Sequence, residues 1–406
     1  MTAPKTTTDS APAAFAPDTG PDTGLPDGQT LDIPWHETLR DRLRFRAGQA
    51  RAARIRARAM ARPFSPGARA RLLLVSEPER IPQSQIAPFH THAAAIARRT
   101  GTEIREADLR QLLAGAPCPA TGATTVAFQT PYDISDADLA ALFSRLEADH
   151  PGARLVCLDW FAPTDLRNAA RMHPRVAFYV KKHLLRDRAR YGAPTRGDTN
   201  LTDAFNRRFG LDEPEQRFAI PEGFLDKLIL GPSFVTAPQI APAFARRQPP
   251  EGPRPIDIHA RFATAGTPWY QAMREEAEAA VARSPARVLT GDGVRMERFL
   301  AEMRRSKICF SPFGYGEVCW RDYEAVAMGA VLMKPDMSHV ETDPDIFEPW
   351  QSYAPLAWDL GDFDAVVARL LGDPALRQRL ARNAYGRLRD WLGSEAFVTT
   401  MMPLFA

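Results

Sequence analysis

Short apolar segments alternate with stretches of helical periodicity along most of this chain, and this alternation constrains the fold more than any other feature. The apolar segments span five to seven residues, which is typical of buried parallel strands. Their alternation with helices predicts an α/β fold with parallel sheets. The predicted strands are 71–77, 124–130, 154–160, 176–181, 227–231, 256–262, 287–291, 307–313 and 330–335. The predicted helices are 92–100, 136–149, 164–172, 269–283, 295–305, 318–328, 363–371 and 374–391, and 187–226 is predicted to be loop-rich.

A proline-rich segment, 237–255, interrupts the alternation with six prolines, which is typical of a linker. The length of 406 residues is also that of a chain with two or three domains. We therefore predict two Rossmann-like, doubly wound domains, 67–236 and 256–406. They are expected to face each other across a cleft at the carboxyl ends of their strands, where such folds bind ligands.

The first 66 residues differ from the rest in composition. Residues 1–35 are rich in Pro, Thr, Asp, Gly and Ala, and we predict a disordered tail. Residues 36–66 are predicted to form a basic helix, because nine arginines against two acidic residues give 36–62 a local charge of +7. Six of these arginines share one stripe: Arg40, Arg44, Arg51, Arg54, Arg58 and Arg62. A thin apolar stripe lies beside it: Leu39, Leu43, Ala50, Ala53, Ala57 and Met60.

The basic helix has three uses that the sequence leaves open. It could lie on anionic lipid, contact nucleic acid without specificity, or pack against the acidic remainder of the chain or a protein partner. Since the apolar stripe is mostly Ala and too thin to insert, we favour packing or partner contact through 36–62 and expect no specific nucleic acid.

Several classes of protein are excluded by composition. No apolar run approaches the roughly 18 residues of a spanning helix, and the polar N-terminus does not resemble a secretory signal. The four cysteines are scattered, so we expect reduced, mostly buried thiols and no metal site. These features predict a cytoplasmic protein, with a peripheral position at the inner membrane left open.

The segment 306–335 contains the residues that most strongly indicate a function. A strand ending at Phe313 is followed by Gly314-Tyr315-Gly316 and by a predicted helix that begins near Glu317. The free N–H groups of such a helix start suit a phosphate, and glycines allow close approach to a ligand. The alternative is a glycine turn required for steric reasons alone.

A charged stripe runs along this predicted helix, because Glu317, Arg321 and Glu324 are spaced at i, i+4 and i+7. One interpretation is a solvated ladder of ion pairs. The other is a polar face lining the interdomain cleft, where Glu324 accepts both hydroxyls of a ribose and Arg321 and Lys307 offset the charge of a diphosphate.

These residues resemble the nucleotide-binding half of GT-B-fold glycosyltransferases, exostosin-like and family 1-like enzymes in particular. The matching residues are Ser306-Lys307, Ile308–Phe310, Pro312–Gly316, Arg321, Glu324-Ala325, Gly329 and Pro335. The resemblance implies a hexosyltransferase-like enzyme of bacterial polysaccharide biosynthesis that moves a sugar from a UDP- or GDP-sugar to a glycan or lipid-linked acceptor, with no cofactor required. It also implies that Glu324 binds the ribose and that Gly314, Tyr315 and Gly316 meet the diphosphate.

Three further residues are candidate catalytic groups. Glu317 is expected near the donor sugar, although six residues separate it from Glu324, one fewer than in many retaining enzymes of this fold. Arg261 ends a predicted strand and could face the leaving diphosphate, or be an ordinary surface arginine. Asp159 stands where an inverting enzyme places its general base.

A basic cluster, Lys181-Lys182-His183 with Arg186, lies at the end of another predicted strand, and it could bind an anion in the cleft or be the solvated start of a helix. Two other functions use the same architecture. One is a nucleotide-sugar epimerase, which needs no acceptor. The other is a two-lobed binding protein without catalytic activity.

Overall fold

The computed structural model describes residue 33 and residues 35–60 and 62–405. The predicted tail at 1–35 therefore lies outside the described residues except for 33 and 35. The strands are β1 Ala70–Ser76, β2 Thr102–Asp108, β3 Thr125–Phe128, β4 Arg154–Asp159, β5 Val176–Lys181, β6 His183–Leu185, β7 Thr195–Arg196, β8 Glu215–Gln216, β9 Leu228–Leu230, β10 Ile256–His259, β11 Val288–Leu289, β12 Ser306–Phe310, β13 Val331–Pro335, β14 Val340–Thr342 and β15 Ala354–Leu356.

Helices cover both sheets and continue to the end of the described chain. They are α1 Trp35–Ala59, α2 Arg80–Thr91, α3 Ala93–Thr100, α4 Leu109–Leu113, α5 Asp136–Asp149, α6 Asn200–Phe209, α7 Pro268–Arg283, α8 Met296–Arg304, α9 Trp320–Ala327, α10 Phe363–Gly372, α11 Pro374–Gly393, α12 Ala396–Thr400 and α13 Met402–Phe405. Short 3₁₀ helices occur at Ala169–Arg171, Arg188–Gly192, Leu225–Lys227, Phe234–Thr236 and Ala241–Ala245.

Two parallel sheets form the framework, as the alternation predicts. The first has six strands in the order β2-β1-β3-β4-β5-β9, and the second has five in the order β11-β10-β12-β13-β15. All neighbours within both sheets are parallel. The fold class is therefore confirmed as two Rossmann-like α/β units with parallel sheets.

Some local predictions were wrong. Strand β2, sequence TEIREAD, escaped notice because it is an edge strand with charged residues at alternate positions. Helix α2 was missed because it contains Pro82 and Pro88. The helix predicted at 164–172 is only one 3₁₀ turn, whereas the predicted loop at 187–226 contains α6.

The two units are joined by more than the linker. Strand β6, which lies between β5 and β9 of the first sheet along the chain, pairs antiparallel with β14, which lies between β13 and β15 of the second. One continuous cluster of buried apolar side chains includes residues from both sheets, such as Leu73 and Cys309. The end of the chain returns to the first unit, where the ring centres of Phe397 and Phe89 lie 5.0 Å apart. The interface between the two units is therefore formed by packed strands and helices from both units.

Helix α1 also contacts both units. Asp41 pairs with Arg304 of α8 at 2.5 Å, and Arg56 pairs with Glu106 of β2 at 2.7 Å. Between these two ion pairs, the backbone of α1 packs closely on the segment that contains Pro238. A Cβ on Gly48 would lie 2.5 Å from the carbonyl oxygen of Pro238, so glycine is needed at this contact. The expectation that α1 packs against the rest of the chain is correct.

The predicted apolar stripe of α1 is not the side that packs. Leu39 and Leu43 are 40% and 58% exposed, respectively, and three of the stripe's alanines are exposed too: Ala50, Ala53 and Ala57. The packed side instead carries Asp41, Phe45, Gly48, Ala52, Ile55, Arg56 and Ala59. In the part of the chain that the structure describes, no helix is long and apolar enough to span a bilayer.

Candidate functional site

The carboxyl ends of both sheets meet at the interface between the units, as a doubly wound fold requires of a binding site. The loop after β12 carries Glu317, and the loop after β4 carries Thr164. Their side chains are hydrogen-bonded, with the Thr164 hydroxyl donating to Oε2 of Glu317. Residues from the two units thus share one site.

A Glu317 cluster, made of Glu317, Thr164, Asn200, His183 and His339, occupies one part of this interface. Besides Thr164, Glu317 accepts a hydrogen bond from Nδ2 of Asn200 at 2.7 Å, and Nε2 of His339 lies 3.3 Å from it. Nε2 of His183 is 3.6 Å away. Although burial raises the pKa of Glu317, hydrogen bonding by His339 and Thr164 lowers it well below its usual range. Burial lowers the pKa of His183 to about 3, so this imidazole is neutral. Glu317 is therefore an ionised carboxylate whose oxygens contact protein groups.

The glycine turn is packed against the first unit. A Cβ on Gly316 would overlap the carbonyl oxygen of Ala162, so the close approach predicted for a ligand is made here by protein backbone. Neither Gly314 nor Gly316 has positive φ. Tyr315 is 38% exposed, and its ring stacks on Tyr270 with 4.6 Å between centres. The steric alternative thus accounts for Gly316.

Helix α9 begins at Trp320, later than predicted. Glu317 therefore precedes the helix and shares no helical face with Arg321 and Glu324. The backbone N–H of Cys319, at the N-cap, donates to Oδ2 of Asp322 at 2.9 Å. Asp322 is itself paired with buried Lys334 at 3.2 Å. The positive end of this helix is already offset by a carboxylate.

Two other predicted site residues lie in buried ion pairs. Arg261 contacts Glu302 through Nε at 2.5 Å and through a terminal nitrogen at 3.1 Å. Oδ2 of Asp159 contacts Lys181 at 2.8 Å and accepts a hydrogen bond from the hydroxyl of Tyr179 at 2.7 Å. Both side chains are therefore saturated by protein groups, which favours structural roles.

Lys307 lies at the opposite edge of the second sheet from the glycine turn. It is the second residue of β12, and its Nζ pairs with Asp257 of β10 at 2.5 Å. Because the turn follows the carboxyl end of β12, Lys307 does not face a ligand bound there.

An arginine pair, Arg274 and Arg321, lies over the carboxyl edge of the second sheet. Their guanidinium carbons are 5.2 and 5.9 Å from the centre of the Phe262 ring, and Phe262 follows β10. Nε of each is buried without a hydrogen-bond partner. Among the described residues, neither has a carboxylate within ion-pair distance. Burial, with a smaller effect of Arg321, lowers the pKa of Arg274 to about 10.

Glu324 stands beside this pair on α9. Its side chain is 4% exposed, and it has no hydrogen bond within the described part of the chain. Burial raises its pKa, against the opposing effect of Arg80 and Arg321. Arg80, at the start of α2, brings a charge from the first unit. Its guanidinium lies 4.7 Å from the Trp320 ring centre, and its Nε is also unpaired.

A stack of rings continues from Arg80 to a buried lysine. Trp320 stacks on Phe234 with 4.2 Å between ring centres, and Nζ of Lys182 lies 4.2 Å from the centre of Phe234 on the first unit's side. Burial, with a smaller effect of Lys181, lowers the pKa of Lys182 to about 7. Residues 181–183 are all buried, so the solvated helix start proposed for them is wrong.

Four cations thus lie at this interface without a carboxylate partner in the described residues; we call them the cation cluster, Arg80, Lys182, Arg274 and Arg321. An unpaired buried charge is costly, and such perturbed groups are typical of binding sites. The cluster can hold a multiply charged anion, with Glu324 as an acceptor for hydroxyl groups beside it. In the ranges that the structure describes, no group of His, Cys, Asp and Glu has the arrangement of a metal site.

Sequence reasoning found Arg321 and Glu324 and gave anion binding as one of two interpretations for Lys182, but it missed Arg80 and Arg274 as site residues. Arg80 begins the helix that was hidden by two prolines. Arg274 lies within the correctly predicted helix 269–283, where its place among Glu and Gln resembles a solvated face. Because α7 has no pronounced apolar face around Met273, its sequence does not indicate that Arg274 is buried.

Comparisons with known proteins give likenesses of fold. No family model and no curated protein matches the chain. Among solved structures, TarM is similar with a TM-score of 0.43 and 11% identity over 69% of this chain, which spans 54% of the length of TarM. An alpha-glucosyltransferase solved with UDP and a 13-mer DNA has a TM-score of 0.46 and 10% identity over 82% of this chain and 99% of its own. Sucrose-phosphate synthase from Thermosynechococcus elongatus has a TM-score of 0.47 and 12% identity over 83% of this chain and 98% of its own. At TM-scores this low, a likeness carries no argument about function, which must come from the side chains of the site.

Proposed function

We propose that this protein is a glycosyltransferase that takes its sugar from a nucleoside-diphosphate sugar bound at the carboxyl edge of the second sheet. The observation that carries the proposal is the arginine pair, Arg274 and Arg321, which share the ring of Phe262 and have no carboxylate partner among the described residues. Two guanidinium groups suit the oxygens of a diphosphate in charge and in hydrogen-bond geometry.

The remaining groups have roles that follow from their chemistry. Glu324 has free acceptor oxygens three residues from Arg321 and would hold the ribose hydroxyls. Arg80 and Lys182 approach from the first unit and would contact the diphosphate or the sugar. When the bond between the anomeric carbon and the diphosphate oxygen breaks, its electron pair stays on the diphosphate, and the fixed cations stabilise that charge.

The resemblance of 306–335 to exostosin-like enzymes supports a hexosyl donor carried by UDP or GDP and a glycan or lipid-linked acceptor that enters from the first unit. In this proposal Tyr315, which is partly exposed beside Tyr270, lies at the rim of the donor site. Glu317, Asp159 and Arg261 hold the site in shape through their protein contacts, and Lys307 lies outside it.

Donor turnover tests this function. The full chain is incubated with UDP- and GDP-hexoses, with and without a mixture of glycan acceptors, and the release of UDP or GDP is measured. We expect slow release without acceptor and faster release with it. Glu324→Ala and Arg321→Ala should each abolish turnover. Glu278→Ala and Arg283→Gln, exposed positions of α7, should leave it unchanged.

Product analysis distinguishes this reaction from the alternatives. A donor converted to another nucleotide-sugar without acceptor would indicate an epimerase and contradict the proposal. Tight binding of a nucleotide-sugar without any turnover would indicate a binding protein. Equal turnover by Arg321→Ala and the wild type would show that the site lies elsewhere.

A further inference from the structure

The outward side of helix α1 has a composition that burial does not explain. Leu39, Leu43, Ala50 and Ala57 recur at intervals of four or seven residues and therefore share one face. That face points away from both units, as the 58% exposure of Leu43 shows. Two exposed leucines one turn apart are unusual on a helix whose inner side is already packed, and an exposed apolar stripe marks an interaction surface.

Arginines flank this apolar stripe on both sides. At 3.6 residues per turn, Arg42 falls on one flank, Arg51, Arg54 and Arg58 fall on the other, and Arg46 falls inside the stripe between Ala53 and Leu39. All five side chains are exposed. Within the described residues none of the five takes part in an ion pair. The acidic residues that α1 does contact or contain, such as Glu106 and Asp41, lie on the packed side.

We propose that this outward face docks the protein on the surface of an anionic lipid bilayer. The docking face consists of Leu39, Leu43, Ala50, Ala53 and Ala57 with five exposed arginines: Arg46 within the stripe and Arg42, Arg51, Arg54 and Arg58 on its flanks. A helix lying in the interface plane places its apolar stripe at the boundary of the acyl chains, and long cationic side chains on either flank reach the headgroup phosphates. A mainly apolar stripe with most of its arginines on the flanks fits this arrangement.

The arrangement favours lipid over nucleic acid. Nucleic acid is bound by cations placed along the centre of the contact, where they meet phosphates. Here four of the five arginines lie on the flanks, Arg46 falls within the stripe, and the large apolar side chains of the face are Leu39 and Leu43. Because the stripe contains only two large apolar residues, docking is shallow, reversible and sensitive to salt.

The contacts of α1 define how the docked protein is held. The Asp41–Arg304 pair fixes α1 to the second unit, and the Arg56–Glu106 pair fixes it to the first. The helix lies against both units, so docking brings the whole molecule to the surface in one orientation. This inference stands independently of the proposed enzymatic function, and its test measures no activity.

Co-sedimentation of the full chain with vesicles tests the proposal. One set of vesicles contains phosphatidylcholine alone, and the other contains phosphatidylcholine with phosphatidylglycerol. We expect binding to the anionic vesicles at low salt, little binding to the neutral ones, and release as salt is added. The double variant Leu39→Ser/Leu43→Ser should lose binding by about tenfold or more, because both apolar anchors are removed.

A matched pair of charge variants distinguishes the face from overall charge. The triple variant Arg46→Gln/Arg54→Gln/Arg58→Gln removes three charges from the face and should weaken anionic-vesicle binding by about tenfold or more. The control Arg190→Gln/Arg283→Gln/Arg379→Gln removes three exposed charges elsewhere and should bind as the wild type does. All these positions are exposed, and circular dichroism melts confirm that each variant is folded.

Three results would overturn the proposal. The first is equal binding of the wild type to neutral and anionic vesicles. The second is unchanged vesicle binding by the leucine variant. The third is binding of a short DNA duplex that is stronger than vesicle binding and insensitive to the leucine changes, since that would make the arginines a site for nucleic acid.

Discussion

The Glu317 cluster and the cation cluster lie at the same interface, but they differ in whether their charged groups have partners within the protein. Glu317 is fully buried and receives hydrogen bonds from Thr164 and Asn200, with His339 also within reach. Arg274 is just as buried, yet its Nε has no partner and its nearest cationic neighbour, Arg321, repels it. One region is complete without a ligand, whereas we propose that an anion completes the other.

The difference matters because unpaired buried charges destabilise a fold, whereas satisfied ones hold it together. Other buried ions in this protein are paired, such as Asp159 with Lys181 and Arg261 with Glu302. The cation cluster therefore stands out against the protein's own pattern. Side chains removed from the Glu317 cluster should cost stability, and side chains removed from the cation cluster should cost binding.

Glu317→Ala should have the largest effect on stability. The substitution leaves the buried groups of Thr164, Asn200 and His339 without an acceptor, so we expect a loss of about 3–5 kcal/mol in the free energy of unfolding, the usual range for breaking a buried charged pair. Urea denaturation measures it. A loss below about 1 kcal/mol, the value typical of surface changes, would show that Glu317 does not hold the units together.

Lys182→Met should change how stability depends on pH. The pKa of Lys182 is about 7 in the folded protein and 10.5 at its ordinary value. Between these values the unfolded state binds more protons, so the wild type gains stability as pH rises, by up to about 1.4 kcal/mol per pH unit. Below about pH 7 the full cost of the buried charge is present.

The methionine variant has no titrating group at this position, so its free energy of unfolding does not follow this rise. The amount by which its free energy of unfolding exceeds that of the wild type should therefore fall by about 2–3 kcal/mol between pH 7.5 and 9.5. Denaturation of both proteins at the two pH values gives this difference, and groups that titrate in both cancel. Lys227→Met, a change at a partly exposed lysine, serves as the control. Parallel pH profiles for wild type and Lys182→Met would contradict the prediction.

Gly316→Ala tests the packing of the glycine turn. Its Cβ would overlap the carbonyl oxygen of Ala162, and backbone on both sides leaves little room to relax. We expect a loss of about 1–3 kcal/mol in stability. Gly314→Ala is the matched control, because the nearest atom to its Cβ is 3.6 Å away. Equal melting temperatures for the two variants would indicate that the turn is free to move.

Arg274→Met should have the smallest effect on stability, and in the opposite direction. The methionine keeps the apolar contact with Phe262 and removes an unpaired buried charge, so we expect the unliganded protein to be unchanged or about 1 kcal/mol more stable. Thermal unfolding without ligand measures this. A loss of several degrees would mean that Arg274 has a structural role.

The sequence was sufficient for the framework of the fold because its central strands are buried on both faces and read as continuous apolar runs. It was not sufficient for β2, an edge strand in which Glu103 and Arg105 are partly exposed and the charged Glu106 is buried, so the strand is not a continuous apolar run. The site was harder to predict. Arg321 and Glu324 belong to a recognisable motif. Arg274 and Arg80, in contrast, are enclosed by residues that are far from them in the chain, so the sequence around them does not indicate a site.

Helix α1 shows the same limit. Its packed side contains Asp41 and Arg56, which are held by Arg304 and Glu106 from distant elements. No local pattern reveals those partners, so the sequence did not indicate which side of the helix packs. The helix itself was predictable from its composition, and the direction of its faces was not.

Calorimetric titration of UDP and GDP into the wild type, Arg321→Ala, Arg274→Met and the control Arg283→Gln tests the central claim most directly. If the cation cluster holds a nucleoside diphosphate, the wild type and Arg283→Gln will bind alike. Each of the other two variants will then bind about 10- to 100-fold more weakly, as expected for the loss of a charge-assisted hydrogen bond. Unchanged affinity in Arg321→Ala and Arg274→Met, or no binding of either nucleotide to the wild type, would contradict the account.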